Sequence, residues 1–137
     1  MTGVLIVVGV LAAASVFGLW WRRRDGRVVE ATVNEQRLGP TELGTDLGSR
    51  ATLVQFSTAF CQPCRAARAT LSHVARETDG VVHVEIDAEH HLDLVRRLDI
   101  LRTPTTLVLD SSGRVVRRAS GAPRLAEVRA ALPALPA

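Results

Sequence analysis

The two cysteines of this chain, Cys61 and Cys64, are separated by Gln62 and Pro63. This spacing occurs in structural disulfides, in metal-binding sites and in redox-active cysteine pairs. Positions three apart on a helix are neighbours, with Cα atoms about 5 Å apart, which lies within the range that a disulfide requires. The two cysteines can therefore form and break a disulfide without movement elsewhere in the chain. The surrounding elements and the cellular compartment determine which of the three roles is expected.

The cysteines are expected where a strand ends and a helix begins. The run "ATLVQFS" predicts a buried strand, and the spacing of apolar residues predicts a helix over residues 62–78. Free N–H groups and the helix dipole then favour a thiolate at Cys61 and lower the pKa of its thiol below about 8.5, commonly to about 3.5–7.5. Cys61 is the candidate nucleophile, and Cys64, one turn further in, is the candidate resolving thiol. Pro63 costs the helix little, because an N–H this early has no partner within the helix.

The rest of the chain after Arg50 alternates between strand and helix patterns, which predicts the order β-α-β-α-β-β-α. Before Arg50 the sequence is polar and rich in glycine, which predicts a tether from Asp25 followed by an edge element. The further predicted elements are strands at 28–33, 81–87, 105–110 and 114–118, helices at 89–98 and 123–132, at most two helical turns at 41–47, and a hairpin turn at Ser111, Ser112 and Gly113.

Residues 2–21, "TGVLIVVGVLAAASVFGLWW", form a stretch of twenty residues without a charge. A helix of this length spans about 30 Å, the thickness of the bilayer hydrocarbon core. A cleaved signal peptide fits less well, because no Lys or Arg precedes Val4 and the stretch ends in Trp20 and Trp21, which suit the membrane interface. A buried core helix is usually shorter. The sequence therefore predicts a transmembrane anchor.

Arg22, Arg23, Arg24 and Arg27 follow the anchor directly, and only the terminal amine precedes it. Positive flanks stay on the cytoplasmic side, so we expect a single-pass protein with its N-terminus outside and its soluble part in the cytoplasm. A permanent structural disulfide is disfavoured there because cytosolic systems keep thiols reduced. An extracytoplasmic domain is the alternative topology.

Length and charge limit the number of domains and the classes of binding partner. The chain has 137 residues, 47% of them hydrophobic, which suits one modest domain plus a membrane segment. The formal charge is +3, of which three arginines and Asp25 at residues 22–25 contribute +2, so the remainder is nearly neutral. A nucleic-acid partner is not expected, because the dense basic run lies beside the anchor. We divide the chain into an anchor (1–21), a basic flank, linker and edge strand (22–49) and a domain (50–137).

Residues 50–132 resemble the thioredoxin family. The Cys-x-Pro-Cys motif is the first match, and "RTPTT" is the second, with Thr103-Pro104 in the place of the family's cis-proline loop, which faces the cysteines and holds substrate backbone. Gly121, after the last strand, resembles the family's glycine that opens the peptide-binding groove. The resemblance implies a thioredoxin-like α/β fold, a central mixed sheet flanked by helices. It also implies a monomer without cofactor that exchanges disulfides with protein substrates and an upstream thiol reductant.

The chain departs from the family at positions that shape the site. Phe60 replaces a Trp, and Gln62 replaces a Gly between the cysteines. Reduction potentials in this superfamily run from about −270 to −120 mV, so CQPC does not fix the direction of the reaction. Gln55 replaces a buried Asp thought to take the proton from the resolving cysteine, and His83 replaces a Lys paired to that Asp. Our hypothesis is that His83, or a water beside Gln55, accepts the proton of Cys64; the alternative is an ordinary half-buried strand residue.

Two histidines and two arginines allow more than one interpretation, and two hypotheses for the function remain. His90 and His91 together with the cysteines could bind zinc or copper, but adjacent histidines point apart on a helix, so no metal site is predicted. Arg65 and Arg68 either assist the thiolate or form a solvated helix face. The first function hypothesis is a membrane-tethered thiol-disulfide oxidoreductase. The second is a binding module or metal-handling protein that uses the same groove without turnover.

Overall fold

The computed structural model describes residues 1–31 and 36–134. The described part contains a long N-terminal helix and a single mixed sheet with helices on both faces. In chain order the elements are α1 (Thr2–Arg24), β1 (Val28–Glu30), α2 (Pro40–Leu43), β2 (Ala51–Ser57), α3 (Gln62–Glu77), β3 (Val81–Asp87), α4 (Leu92–Arg97), β4 (Thr105–Asp110), β5 (Val115–Ser120) and α5 (Leu125–Ala131).

The sheet has the strand order β1-β5-β4-β2-β3. β2 pairs with β3 in parallel and with β4 antiparallel, and β5 pairs antiparallel with both β4 and β1. This is the α/β architecture with a central mixed sheet that the sequence predicts, and the order β-α-β-α-β-β-α after Arg50 is confirmed.

β2 is an interior strand between β4 and β3, and all seven of its residues are buried. Successive side chains of a strand point to opposite faces, so β2 contributes to two core clusters. Leu53 packs in one cluster with Leu71 of α3 and Val128 of α5. Phe56 packs in the other with residues from α4 and β4. The two clusters hold β2 rigidly, and therefore fix the point where it leads into the cysteines.

Helix α3 begins and ends close to the predicted bounds. Its buried side chains are Cys64, Ala67, Leu71 and Val74, whose spacing of three and four residues is that of one helical face. The burial of this face against β2 and β3 places the first turn of α3 at the end of the sheet where β2 terminates.

Two helices are shorter than the sequence predicts. The predicted helix at 89–98 is observed only over Leu92–Arg97, because His91 has a non-helical backbone with φ −130° and ψ 51°. In the turn before it, the Asp87 carboxylate accepts the Glu89 N–H and contacts the His90 ring. The predicted helix at 123–132 begins at Leu125, where Arg124 is the N-cap and its N–H donates to the Glu127 carboxylate.

The region before β2 also differs in detail. The strand predicted at 28–33 is observed over Val28–Glu30, and residues 32 and 33 lie outside the described residues. The turns predicted at 41–47 form a helix over Pro40–Leu43, which Gly44 ends in the left-handed region with φ 69°. Leu38 and Leu43 lie in the core, so packing of the domain begins before residue 50.

Helix α1 lies outside the sheet domain, and none of its residues is buried. Among the described residues it is the one helix that is long and apolar enough to cross a membrane, a property that a signal sequence shares. Trp20 and Trp21 lie near its end, and the Arg24 guanidinium stacks 4.1 Å from the centre of the Trp20 ring. This arrangement suits the interfacial region of a bilayer.

Candidate functional site

The cysteines lie where the sequence predicts them, at the junction of β2 and α3. Cys61 is the N-cap of α3, and its Cα lies 5.2 Å from that of Cys64, to which it is joined by a disulfide bond. Cys64 is only 1% exposed, whereas Cys61 is partly exposed. An incoming sulfur can therefore meet Cys61 but not Cys64, which is the arrangement needed for an attacking and a resolving thiol.

The first turn of α3 carries no acidic residue. Its N–H groups and dipole thus act on Cys61 without a competing carboxylate on the same turn, which supports the predicted thiolate. Gln62 and Pro63 are exposed, and the preceding Phe60 is fully exposed at 101%. These three side chains form an exposed surface next to the cysteines.

Thr103, Pro104 and Gly121 lie together beside this loop. The Thr103–Pro104 peptide bond is cis, as the resemblance implies. The Gly121 N–H donates to the Pro104 carbonyl at 2.7 Å, and the Thr103 hydroxyl lies 3.2 Å from that of Thr58, three residues before Cys61. The structure thus brings the proposed substrate-binding residues next to the cysteine loop.

Gln55 is fully buried beneath the first turn of α3. Its side-chain N–H₂ donates to the Cys64 carbonyl and to the Ser57 hydroxyl, both at 2.9 Å. A carbonyl only accepts, so the amide nitrogen must face Cys64 and the amide oxygen must face His83, whose Nε2 lies 3.1 Å away. Gln55 therefore connects the backbone at the resolving cysteine to His83.

The hydrogen bonds of His83 determine its tautomer. Because the Gln55 oxygen is an acceptor, Nε2 of His83 carries the proton. In the neutral ring Nδ1 is then an acceptor, and it takes a hydrogen bond from the Ser72 hydroxyl at 3.0 Å. Burial lowers the pKa of His83 below 6.5; the negative charge of Glu85 opposes this shift, and the positive charge of Arg68 adds to it. The ring is therefore neutral near pH 7.

Sequence reasoning missed an ion pair on the rim of the site. Arg68 of α3 binds Glu85 of β3 through two hydrogen bonds of 2.6 Å. The hydrogen bond from Arg68 lowers the pKa of the Glu85 carboxyl. Partial burial opposes this shift, and a hydrogen bond from Ser57 adds to it. The pair borders a surface cavity of about 290 Å³, and its lining is completed by Ser57, Thr58, Ala59 and Asp87. Arg68 therefore pairs with β3, and both Arg65 and Arg68 are exposed.

His90 and His91 are not on a helix, contrary to the expectation. Nδ1 of His90 lies 2.7 Å from the Asp87 carboxylate, and Nδ1 of His91 lies 2.9 Å from the Asp87 carbonyl. Within residues 1–31 and 36–134, no group of three or more His, Cys, Asp or Glu side chains is arranged to hold a metal ion. The two histidines thus shape the turn before α4.

Comparison with known proteins identifies the family. The model of the Thioredoxin family matches residues 41–134. Thioredoxin domain-containing protein 2 of Homo sapiens is 33% identical over 60 residues, 44% of this chain and 11% of that protein. Thioredoxin H5 of Oryza sativa subsp. japonica is 24% identical over 72 residues, 53% of each chain. The chain thus spans about half or less of the length of these curated relatives.

Solved structures show the same fold. The crystal structure of thioredoxin NaTrxh from Nicotiana alata has a TM-score of 0.53 at 24% identity, and the match covers 60% of this chain and 70% of that one. The reduced thioredoxin pre-protein of Schistosoma mansoni has a TM-score of 0.52 at 22% identity, covering 59% and 74%. With a family match over more than half of its length and the Cys61–Cys64 pair at the expected junction, this chain belongs to the thioredoxin family.

Proposed function

We propose that the chain is a thiol-disulfide oxidoreductase tethered to a membrane by α1. The observation that carries this proposal is the Cys61–Cys64 disulfide itself, whose outer sulfur belongs to the N-cap of α3 and whose inner sulfur is buried. A bond that served only stability would not require one partly exposed sulfur at a helix N-terminus beside a cis-proline loop.

The reductive reaction begins with both cysteines as thiols. The Cys61 thiolate attacks one sulfur of a client disulfide, which forms a mixed disulfide and releases the other client sulfur as a thiolate. Cys64 then loses its proton and attacks the Cys61 sulfur, which releases the second client thiol and forms the disulfide seen in this structure. Two electrons and two protons pass to the client, and an external dithiol or thiol reductant returns the protein to its reduced form. The reverse sequence would oxidise a client dithiol.

The residues around the cysteines have proposed roles in this exchange. Thr103, Pro104 and Gly121 hold the client backbone, because hydrogen bonds bring these residues together next to the cysteine loop. Phe60, Gln62 and Pro63 shape the contact surface, and Gln55 with His83 fixes the backbone at Cys64. Each chain holds the complete set, so we propose that it acts as a monomer.

The reaction is tested by reduction of insulin disulfides with the full chain in detergent and dithiothreitol as the electron source. We expect turnover by the native chain and its loss in Cys61→Ser. Cys64→Ser is the informative companion, because it retains the attacking sulfur and should accumulate a mixed disulfide that mass spectrometry detects. A native chain that binds clients but never turns over would be a binding module instead.

We propose that the domain lies in the cytoplasm, because Arg22, Arg23 and Arg24 form the last turn of α1 and Arg27 follows it. After reduction, the thiols should resist a membrane-impermeant thiol reagent in intact cells and react after the membrane is permeabilised. Labelling of Cys61 in intact cells would place the domain outside.

A further inference from the structure

The junction between α1 and the domain contains no free tether, although the sequence predicts one from Asp25. The residue after α1, Asp25, forms an ion pair of 2.5 Å with Arg102. The next residue, Gly26, donates its N–H to the Ser120 carbonyl at 2.8 Å, and β1 begins two residues later. The last turn of α1 therefore runs directly into the sheet domain.

The sheet register places this junction at the same end of the sheet as the cysteines. Val28 at the start of β1 is paired with Ala119 near the end of β5. The end of β5 is paired with Thr105 at the start of β4, and Thr105 is paired with Phe56 near the end of β2. Three strand spacings of about 4.8 Å separate β1 from β2, which amounts to about 15 Å. β2 then leads through a short loop into Cys61.

Side-chain contacts connect the two loops across this end. The Asp25 carboxylate lies against Gly121, where an added Cβ would come within 2.7 Å of its Oδ1. Its partner Arg102 directly precedes Thr103 and Pro104, and Thr103 contacts Thr58 in the cysteine loop. The end of the anchor thus touches the loops proposed to hold the client.

We propose that this junction restricts the redox pair to disulfides close to the bilayer surface, in the juxtamembrane segments of other membrane-anchored proteins. The inference rests on the proposed function and on α1 spanning the bilayer. Gly26 is held beside β5, about 15 Å along the sheet from Phe56 of β2. Two residues connect Gly26 to Arg24 and five connect Phe56 to Cys61, so at no more than about 3.6 Å per residue Cys61 lies within about 40 Å of the membrane end of α1 for any tilt of the domain. A flexible tether of n residues would extend this reach by about 5–6 Å × √n, and the contacts of Asp25 and Gly26 remove that freedom.

The substrate class is tested with the full chain in proteoliposomes. Model clients carry one membrane helix and a rigid helical spacer of about 6 or about 30 residues, which places their disulfide about 9 or about 45 Å above the surface. The comparison chain carries about thirty Gly and Ser residues inserted between Arg24 and Asp25, which leaves the Asp25 and Gly26 contacts intact and adds about 30 Å of reach.

The native chain should reduce the near disulfide at least about tenfold faster than the far one, because tethering raises the effective concentration only of sulfurs within reach. The inserted chain should reduce both at similar rates. Equal rates for the native chain, or an unchanged preference in the inserted chain, would overturn the inference. Both chains should reduce a soluble peptide disulfide equally; failure of both on this substrate would instead contradict the proposed function.

A second measurement tests the geometry without the redox reaction. A fluorophore is attached through Leu101→Cys or Ser111→Cys in a Cys61→Ser, Cys64→Ser chain, and a quencher is carried on lipid headgroups. Leu101 is 85% exposed next to Arg102, whereas Ser111 is exposed in the hairpin at the opposite end of β4, about 20 Å away. We expect stronger quenching at position 101. Equal or stronger quenching at position 111 would place the cysteine end away from the membrane and overturn the inference.

Discussion

The side-chain amide of Gln55 donates a hydrogen bond of 2.9 Å to the backbone carbonyl of Cys64. Through its oxygen the same amide accepts a hydrogen bond from Nε2–H of His83, and Nδ1 of His83 accepts a hydrogen bond from the Ser72 hydroxyl. A buried strand, the redox helix and the neighbouring strand are thereby joined through one polar side chain. The amide cannot act as a base, so its contribution is to hold the backbone at the resolving cysteine.

Gln55→Met removes this connection at a similar side-chain volume. The substitution leaves the His83 Nε2–H without its acceptor inside the protein, and an unpaired buried donor costs about 1–3 kcal/mol. We expect the free energy of unfolding of the oxidised full chain in detergent to fall by about that amount in a urea titration. Gln62→Met is the matched control, because Gln62 is exposed and should change stability by less than about 0.5 kcal/mol. Equal effects of the two substitutions would show that the buried network contributes nothing.

His83 should make stability depend on pH. Its pKa is lowered in the folded chain, mainly by burial, so the unfolded chain binds the proton more readily. The stabilising contribution is complete above about 6.5, the unfolded pKa, and is lost as pH falls below that value toward the lower folded pKa. Urea titrations at pH 7.5 and 5.5 should show a smaller loss on acidification in His83→Gln than in the native chain. Identical losses would contradict a lowered pKa.

The proton acceptor of Cys64 is a separate question. The acceptor nitrogen of the neutral His83 ring faces Ser72, and its other nitrogen donates to Gln55. We therefore expect His83→Ala to leave the pH profile of insulin reduction unchanged while lowering stability. A shift of the basic or acidic limb of that profile in His83→Ala, absent in Ser72→Ala, would instead support His83 as the proton acceptor.

Thr106 has a buried hydroxyl with no hydrogen-bond partner among the residues that the structure describes. It is paired with Gln55 across β2 and β4 and is 2% exposed. Thr106→Val removes the unpaired group at nearly constant volume, so we expect the free energy of unfolding to rise by about 1 kcal/mol. Thr105→Val is the control, because its hydroxyl donates to the Arg102 carbonyl at 2.6 Å, and its loss should be destabilising. A fall in stability for Thr106→Val would reveal a partner for its hydroxyl.

Local patterns predicted the parts of the fold that depend on the chain near each residue. The apolar runs of β2 and β4 and the helical spacing of Ala67, Leu71 and Val74 identified the central elements, and the CxPC motif identified their junction. The observed cis peptide bond before Pro104 agrees with the resemblance. These features are encoded by residues within a few positions of one another.

The features that sequence reasoning missed depend on contacts between distant residues. The Arg68–Glu85 pair joins α3 to β3, and the Asp25–Arg102 pair joins two segments 77 positions apart. No periodicity in either segment indicates such a partner. The helix predicted from residue 89 begins only at Leu92 for a local reason, because the backbone of His91 is not helical, with φ −130° and ψ 51°.

Titration of the Cys61 thiol tests most directly whether the N-terminus of α3 stabilises its sulfur anion. In the full chain carrying Cys64→Ser, Cys61 is the one remaining cysteine, and its rate of alkylation between about pH 4 and 10 reports the thiolate fraction. We predict a pKa below the ordinary thiol value of about 8.5, because Cys61 caps a helix whose first turn carries no acidic residue. A pKa at or above about 8.5 would contradict the proposed role of Cys61 as the attacking nucleophile.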